Sequence, residues 1–411
     1  MKRFSLMLLL CCTGAEASGL LPDEDAALNA IDALPGVSAA QSRSAEADAR
    51  GEAFKRSPYG FEVGVAPIVR HENRGASYGE WEASVSHRLR LPRKAAIDNQ
   101  LGEVGVETAA LGLADARHVG ARLLLERWFE WLRSGGALRL ASEQLELARA
   151  DRDSVARRVA AGDLATLDAE RAAAALAVAE AAQARARFEH ERAGAALDAQ
   201  FPMLAPRADL PEVPLPTLEG DADEQAIVAA IINDNHEIAI AEAMARRQGL
   251  AAARSDAERH PDPSVGLRVM DEARGSEQAV ALTVSIPFAG GAAAPTSVAE
   301  QHLAEALAAD AAAVRTAVDS EARQLAMAVR ASLQSWQAAE RARIANDAAL
   351  ARIEKARALG EAGFADVTLA RRTAQDARAA EWQARVAVHE TRMRVEVDAH
   401  RLWSRHDDHD H

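Results

Sequence analysis

A mainly α-helical chain with a small β part is predicted by three observations. The order of elements occurs twice, about 200 residues apart, the mark of an internal duplication. Each copy holds two segments in which apolar and polar residues alternate, the period of a strand with one wet face. Each also holds alanine-rich stretches with apolar residues at 3–4 spacing, much longer than a globular domain uses. Long antiparallel helical hairpins and four strands per chain follow.

The echoes define the boundaries. Ser57-Pro58-Tyr59-Gly60-Phe61 is answered by His260-Pro261-Asp262-Pro263-Ser264, and Ala161-Gly162-Asp163-Leu164 by Ala362-Gly363-Phe364-Ala365. The first repeat spans 18–201 and the second 222–403, with a proline-rich linker at 202–221 and a His/Asp-rich tail at 404–411. Within the first repeat, 22–54 reads as a helix with a weak point at Pro35-Gly36. The strand pair lies at about 60–91, and Pro92 is expected to stop its second strand. A long helix runs to about Ala160, with Gly135-Gly136 as a place where it can bend. Gly162 turns the chain, and a return helix shows a seam at Leu164, Leu167, Arg171, Ala174, Val178, Ala181, Arg185 and Phe188. In the second repeat 222–258 is helical and the strand pair is at about 264–288. A long helix then runs to a tip near Gly363, and the return helix ends near Trp403.

Composition excludes several functions. Apolar residues make up 49% but aromatics only 4%, which suits thin helices in close contact better than a globular core. The net charge of −14 disfavours a nucleic-acid partner, which needs a basic face. Residues 1–17 read as a secretory signal: Lys2 and Arg3, an apolar core from Phe4 to Cys12, and Ala15-Glu16-Ala17 before the cut. Both cysteines, Cys11 and Cys12, lie in that segment, so disulfide and thiol chemistry are excluded from the mature chain; lipidation of Cys12 is an alternative. No nucleophile elbow, P-loop or dinucleotide fingerprint is present, so neither an enzyme nor a cofactor is expected.

Geometry then points to a conduit. A helix of about 65 residues spans about 98 Å at 1.5 Å per residue. Strands of about 9–11 residues cross a bilayer when tilted. Four strands are too few to close a barrel, and an open sheet edge in lipid leaves backbone groups unsatisfied, so several copies are required. Three or four copies would both close. A soluble two-hairpin protein with a small capping sheet shows the same alternation.

The chain resembles the TolC-like outer membrane factor family over nearly its whole mature length. The resemblance rests on Ser285-Ile286-Pro287-Phe288-Ala289-Gly290-Gly291 at the strand-to-helix junction and on the tips Gly162…Leu167-Asp168 and Gly363-Phe364-Ala365-Asp366…Leu369-Ala370-Arg371-Arg372. The last run looks like the heavy-metal, CzcC-like branch. The resemblance implies a homotrimer with a 12-stranded barrel in outer membrane lipid and a helical tunnel across the periplasm. It also implies docking of the tips onto a periplasmic adaptor (membrane fusion protein) and an inner-membrane RND pump, with no chemistry in this subunit.

The same resemblance nominates residues. Asp168 stands where the family places an acidic residue at the periplasmic constriction, and Asp366 is the nearest acid in the second repeat, which has Leu369 at that position. Such a ring would attract cations; a helix-start carboxylate is also favoured by the helix dipole alone. Gly162 and Gly363 are expected at the reversals, with Leu164 and Phe364 as apolar knobs for the adaptor or for hairpin packing. Arg157, Arg158, Lys355 and Arg357 are available for ion pairs that hold a closed state. His406, His409 and His411 suit a weakly held transition metal, or simply a solubilising end. Two other classes are a periplasmic coiled-coil adaptor and a metal-binding periplasmic protein. The first should show one hairpin between β-rich halves, and the second rests on the tail alone.

Overall fold

The computed structural model describes residues 19–73, 75–204, 210–217 and 223–405. The signal segment and the tail histidines lie outside them. The chain forms two compact units, and each draws on both repeats. One, the strand unit, comprises 39–115 and 236–318; the other, the helix unit, takes the remainder.

The helices are α1 (Glu24–Asp32), α2 (Pro35–Lys55), α3 (Pro92–Ala160), α4 (Thr166–Gln200), α5 (Glu224–Asn233), α6 (His236–Ala257), α7 (Ala293–Ala358) and α8 (Phe364–Asp398). The strands are β1 (Phe61–Arg70), β2 (Tyr78–Arg88), β3 (Ser264–Glu272) and β4 (Glu277–Ser285). The long helices have 69 and 66 residues, and both return helices have 35.

Several boundaries differ from the sequence reading, each for a local reason. The first helical stretch is two helices, because the chain breaks at Ala33 and Pro35 opens α2, where its missing N–H goes unused. The stretch 222–258 is likewise two helices, parted at Asp234-Asn235. Pro92 does not stop β2: the strand ends at Arg88, and Pro92 opens α3. Leu89 leaves the ladder, its N–H donating to the Pro263 carbonyl at 2.8 Å. Ile286 and Phe288 fall beyond the end of β4. Helix α3 runs unbroken through Gly135-Gly136.

In the strand unit the four strands form an antiparallel sheet in the order β1-β2-β3-β4. The register puts Phe61 opposite His87, Val63 opposite Val85, Val85 opposite Leu267, and Leu267 opposite Leu282. One face is therefore apolar across all four strands: Val63 and Val65, Val85, Leu267, then Val280, Leu282 and Val284, all exposed. The other face carries Glu62, Ser84, Glu82, Arg268, Thr283 and Glu277. Arg268 pairs with Glu82 at 3.0 Å on that face. A sheet of a water-soluble protein turns such an apolar face inward; here no described element covers it.

Below the sheet a charged network fixes the strand-to-helix junctions. Lys94, 1% exposed, reaches Glu258 at 2.9 Å and Asp262 at 3.3 Å. Asp262 also accepts from the Tyr59 hydroxyl at 2.8 Å and the Leu91 N–H at 3.0 Å. Burial pushes its carboxyl up, but these donors together hold it below the usual carboxylate value. Asp98 accepts from Arg90 at 3.0 Å and Arg254 at 2.7 Å.

Part of the core of the helix unit is aromatic. Trp128 donates to the Leu20 carbonyl at 2.9 Å and its ring lies 5.1 Å from that of Trp131. Phe129, Leu132 and Phe201 are fully buried. Gly135 and Gly136 are contact points rather than hinges. A Cβ on Gly136 would sit 1.9 Å from the Trp382 ring, and one on Gly135 would sit 2.5 Å from Leu210. The described part of the linker, 210–217, is correspondingly a fitted strap: Val213 is buried, His389 donates to the Pro214 carbonyl at 2.9 Å, and Arg392 donates to that of Thr217 at 2.8 Å.

Candidate functional site

The two tips are built by one device. After α3, the Asp163 N–H donates to the Arg158 carbonyl at 2.9 Å and the Gly162 N–H to Val159 at 3.0 Å. After α7, the Glu361 N–H donates to Ala356 at 2.8 Å and the Gly360 N–H to Arg357 at 3.0 Å. Both are Schellman closures, which need a left-handed residue just past the helix. Gly162 has φ +81° and Gly360 has φ +80°. This corrects the reading at the second tip, where Gly363 was expected to make the turn. Gly363 has φ −79° and is the N-cap of α8.

The correction realigns the acids. With Gly162 matched to Gly360, the N-caps Ala165 and Gly363 coincide, and Asp168 and Asp366 both become the third residue of their helices. Both tips therefore carry an acid at the third helical position, and Leu369 is the counterpart of Arg171. Asp366 accepts from the Gly363 N–H at 2.9 Å, whereas Asp168 lies 3.8 Å from Arg171. Each satisfies or complements the positive end of its helix.

Phe364 is not an exposed knob. It is 8% exposed and packs with Val155 and Ala172, with Val159, Leu164 and Ala169 around them, so it joins the two tips. The Arg357 guanidinium lies 5.2 Å from its ring. Leu164 is half-buried at this cluster; the exposed apolar side chains near the tips are Leu167, Leu359 and Leu369.

Sequence reading also missed a line of arginines on α8. Arg371, Arg378 and Arg385 recur every seven residues, one face of a coiled-coil helix. Arg371 reaches Glu354 on α7 at 2.8 Å and also Asp151 on α3; Arg378 reaches Asp347 on α7 at 2.9 Å. Arg385 binds Glu381 at 2.7 Å, which in turn accepts from Trp336 on α7 at 2.9 Å. Arg343 holds Glu340 at 2.7 Å, and that hydrogen bond keeps the Glu340 carboxyl below its ordinary value. The seven-residue spacing of Arg371, Arg378 and Arg385 against Asp347 and Glu354 was the available signal. Among the four cations expected to pair at the tips, Arg357 serves the Phe364 ring instead. Among the described residues, no group of three or more His, Cys, Asp and Glu is placed to hold a metal ion.

Together the pieces are a sheet apolar on one side and polar on the other, and long hairpins whose ends carry matched turns and acids. The chain has the fold of TolC-like outer membrane channels. It superposes on the outer-membrane channel OprN with a TM-score of 0.77 and 16% identity, covering 94% of this chain and 92% of that one. The Campylobacter jejuni CmeC outer membrane channel gives 0.74 at 11% identity, covering 91% and 84%. The outer membrane protein VceC from Vibrio cholerae gives 0.73 at 16%, covering 93% and 97%. No protein-family model matches the chain, and no curated protein matches it.

Proposed function

We propose that this chain is one subunit of an outer membrane export duct. The single observation that carries the reading is the sheet: a continuous exposed apolar face with two unpaired edges, β1 and β4. That combination suits lipid on one side, water on the other, and closure by further copies. Three copies give a 12-stranded barrel, with the helical part in the periplasm. No helix of the described residues is long and apolar enough to cross a membrane, so the sheet is the anchor.

The subunit acts as a passive duct in a tripartite system, with a periplasmic adaptor and an inner-membrane RND pump as partners, and does no chemistry itself. The cargo is a heavy-metal cation. The acidic balance and the paired tip carboxylates Asp168 and Asp366 favour cations at the entrance. Adaptor docking falls on the turns at Gly162, Leu164 and Gly363 and on exposed Leu359, rather than on buried Phe364. The contact of Arg371 with both Asp151 and Glu354 ties the second hairpin to the first and holds the entrance closed.

Fractionation of the native host tests this. The mature protein should sediment with outer membranes as an oligomer, and a deletion strain should accumulate Zn, Co, Cd, Ni or Cu and grow poorly on at least one of them. A soluble periplasmic monomer would refute the duct. Normal growth on the metals with sensitivity to drugs would refute the cargo alone.

A further inference from the structure

Three of the four connections between the sheet and its helices are pinned by polar contacts. Tyr59 before β1 and Leu91 after β2 both donate to Asp262, which precedes β3. Lys94 on α3 joins Asp262 to Glu258, and Arg90 reaches the Phe54 carbonyl near the end of α2 at 2.9 Å. The fourth connection, 286–292 between β4 and α7, has no charged residue and no bond to that network. It carries instead Ile286, 66% exposed, and Phe288, 95% exposed.

The apolar face of the sheet is a slanted band. On the turn side its last apolar residues are Val69 on β1, Trp81 on β2, Val269 on β3 and Val280 on β4, with Asp271 and Gln278 just beyond on the same face. By register, Val69 stands two residues beyond Trp81, Trp81 two beyond Val269, and Val269 level with Val280. The edge thus moves four residues along the strands while crossing three strand spacings. At about 3.3 Å per residue and about 4.8 Å between strands, the slant is about 40°. Strands of a membrane barrel tilt by about 35–45°, so a level lipid layer would cross them at this slant.

The same slant at the opposite edge ends on Phe288. There the band begins on β1 at Phe61, which is level with Val284 on β4. Four residues past Val284 is Phe288. Length leads to the same residue. Phe61–Val69 is nine residues, and a tilted strand needs about 9–11 to cross a bilayer. On β4, Val280–Val284 is only five; Ile286 and Phe288 continue its alternation and bring it to nine.

We propose that Ile286 and Phe288 lie in the acyl chains of the leaflet on the helix side of the membrane, so that lipid anchors the one connection left out of the charged network. The inference rests on the duct reading and places its lipid boundary. A neighbouring strand would pair with β4 in the plane of the sheet, which leaves the side chains of this face outward. The two boundaries also suit their rings: Trp81 has a polar edge that headgroups and water satisfy, whereas Phe288 has none.

The test uses the full-length protein, which has no cysteine after Cys12. Ile286→Cys and Phe288→Cys each receive a nitroxide label, as do Leu282→Cys on the apolar face and Thr283→Cys on the polar face. The purified oligomers are placed in vesicles of phosphatidylethanolamine and phosphatidylglycerol. Electron paramagnetic resonance then compares collisions with oxygen, which enters lipid, and with a nickel chelate, which stays in water. The oxygen-to-nickel ratio at 286 and 288 should match that at 282, and should be lost at 283. A ratio at 288 equal to that at 283 would overturn the proposal in favour of a solvated joint. Exclusion of both reagents at 288 would overturn it in favour of a protein cover. With either result, a lipid-like ratio at 282 leaves the duct reading standing; a water-like ratio at 282 would sink that reading as well.

Discussion

The two hairpins share a plan but not a mode of adhesion. Hairpin one, α3 with α4, closes on alanines: Ala172, Ala179 and Ala193 are buried along α4. Among the described residues, its one cross-helix ion pair is Arg192 with Glu130, well away from the tip. Hairpin two, α7 with α8, is stitched by Arg371 and Arg378 against Glu354 and Asp347. Helix α8 is also buried on two sides, whereas α4 is buried on one. A thin apolar seam gives closeness without a fixed register, while charges every seven residues fix the register. The difference teaches that the duplicated halves hold together by different means: hairpin two by charges in register, and hairpin one by small side chains that leave most of α4 exposed.

The comparison can be broken most forcefully where the hairpins touch. Gly136→Val would drive side-chain atoms into the Trp382 ring, and overpacking of this kind costs about 1–3 kcal/mol or more. The variant should melt earlier by circular dichroism, and adding Trp382→Ala should recover part of the loss. Arg371→Ala removes the cation shared by Asp151 and Glu354, a change worth about 1.5–3 kcal/mol for charged hydrogen bonds. Arg171→Ala, at an arginine near the tip of hairpin one, should cost about 0–0.5 kcal/mol, because its pairing is exposed and long. Equal effects in urea melts would erase the distinction.

Smaller effects sharpen it. Arg378→Asp and Asp347→Arg should each destabilise by about 0.3–1 kcal/mol, and the double swap should regain much of that. Acid should loosen α7 around Glu340. Its carboxyl is held below its ordinary value by the hydrogen bond from Arg343 on the same helix, so its contribution is present above the unfolded value and is lost as pH falls through the folded one. Amide exchange should therefore quicken along that part of α7 at pH values below the ordinary carboxylate range.

Much of the fold was legible in the sequence because its periods are long and repeated. The strand alternation placed β1 to β4, and the return helices were found near their true ends. Prolines misled at boundaries: Pro35 reads as a weak point within a helix and Pro92 as a stop, but each opens a helix. The tips were half legible. Two glycines compete at the second tip, and only backbone geometry shows that Gly360 turns the chain and Gly363 caps the next helix. That shift of three residues hid the equivalence of Asp168 and Asp366. The α4 seam was visible as a period, but a period does not say which neighbour it faces. Burial shows that the line α4 buries is Ala172, Ala179, Ala193 and Leu197 instead. The Lys94 network was not legible, because its partners Tyr59, Glu258 and Asp262 are brought together by the sheet.

The central claim is that copies of this chain enclose a water-filled path through a membrane. Conductance of the purified, mature oligomer in a planar lipid bilayer tests it most directly. Discrete, long-lived steps of ionic current that favour cations are expected, with larger currents after Arg371→Ala loosens the entrance. A bilayer that stays silent with well-folded oligomer present would contradict the claim.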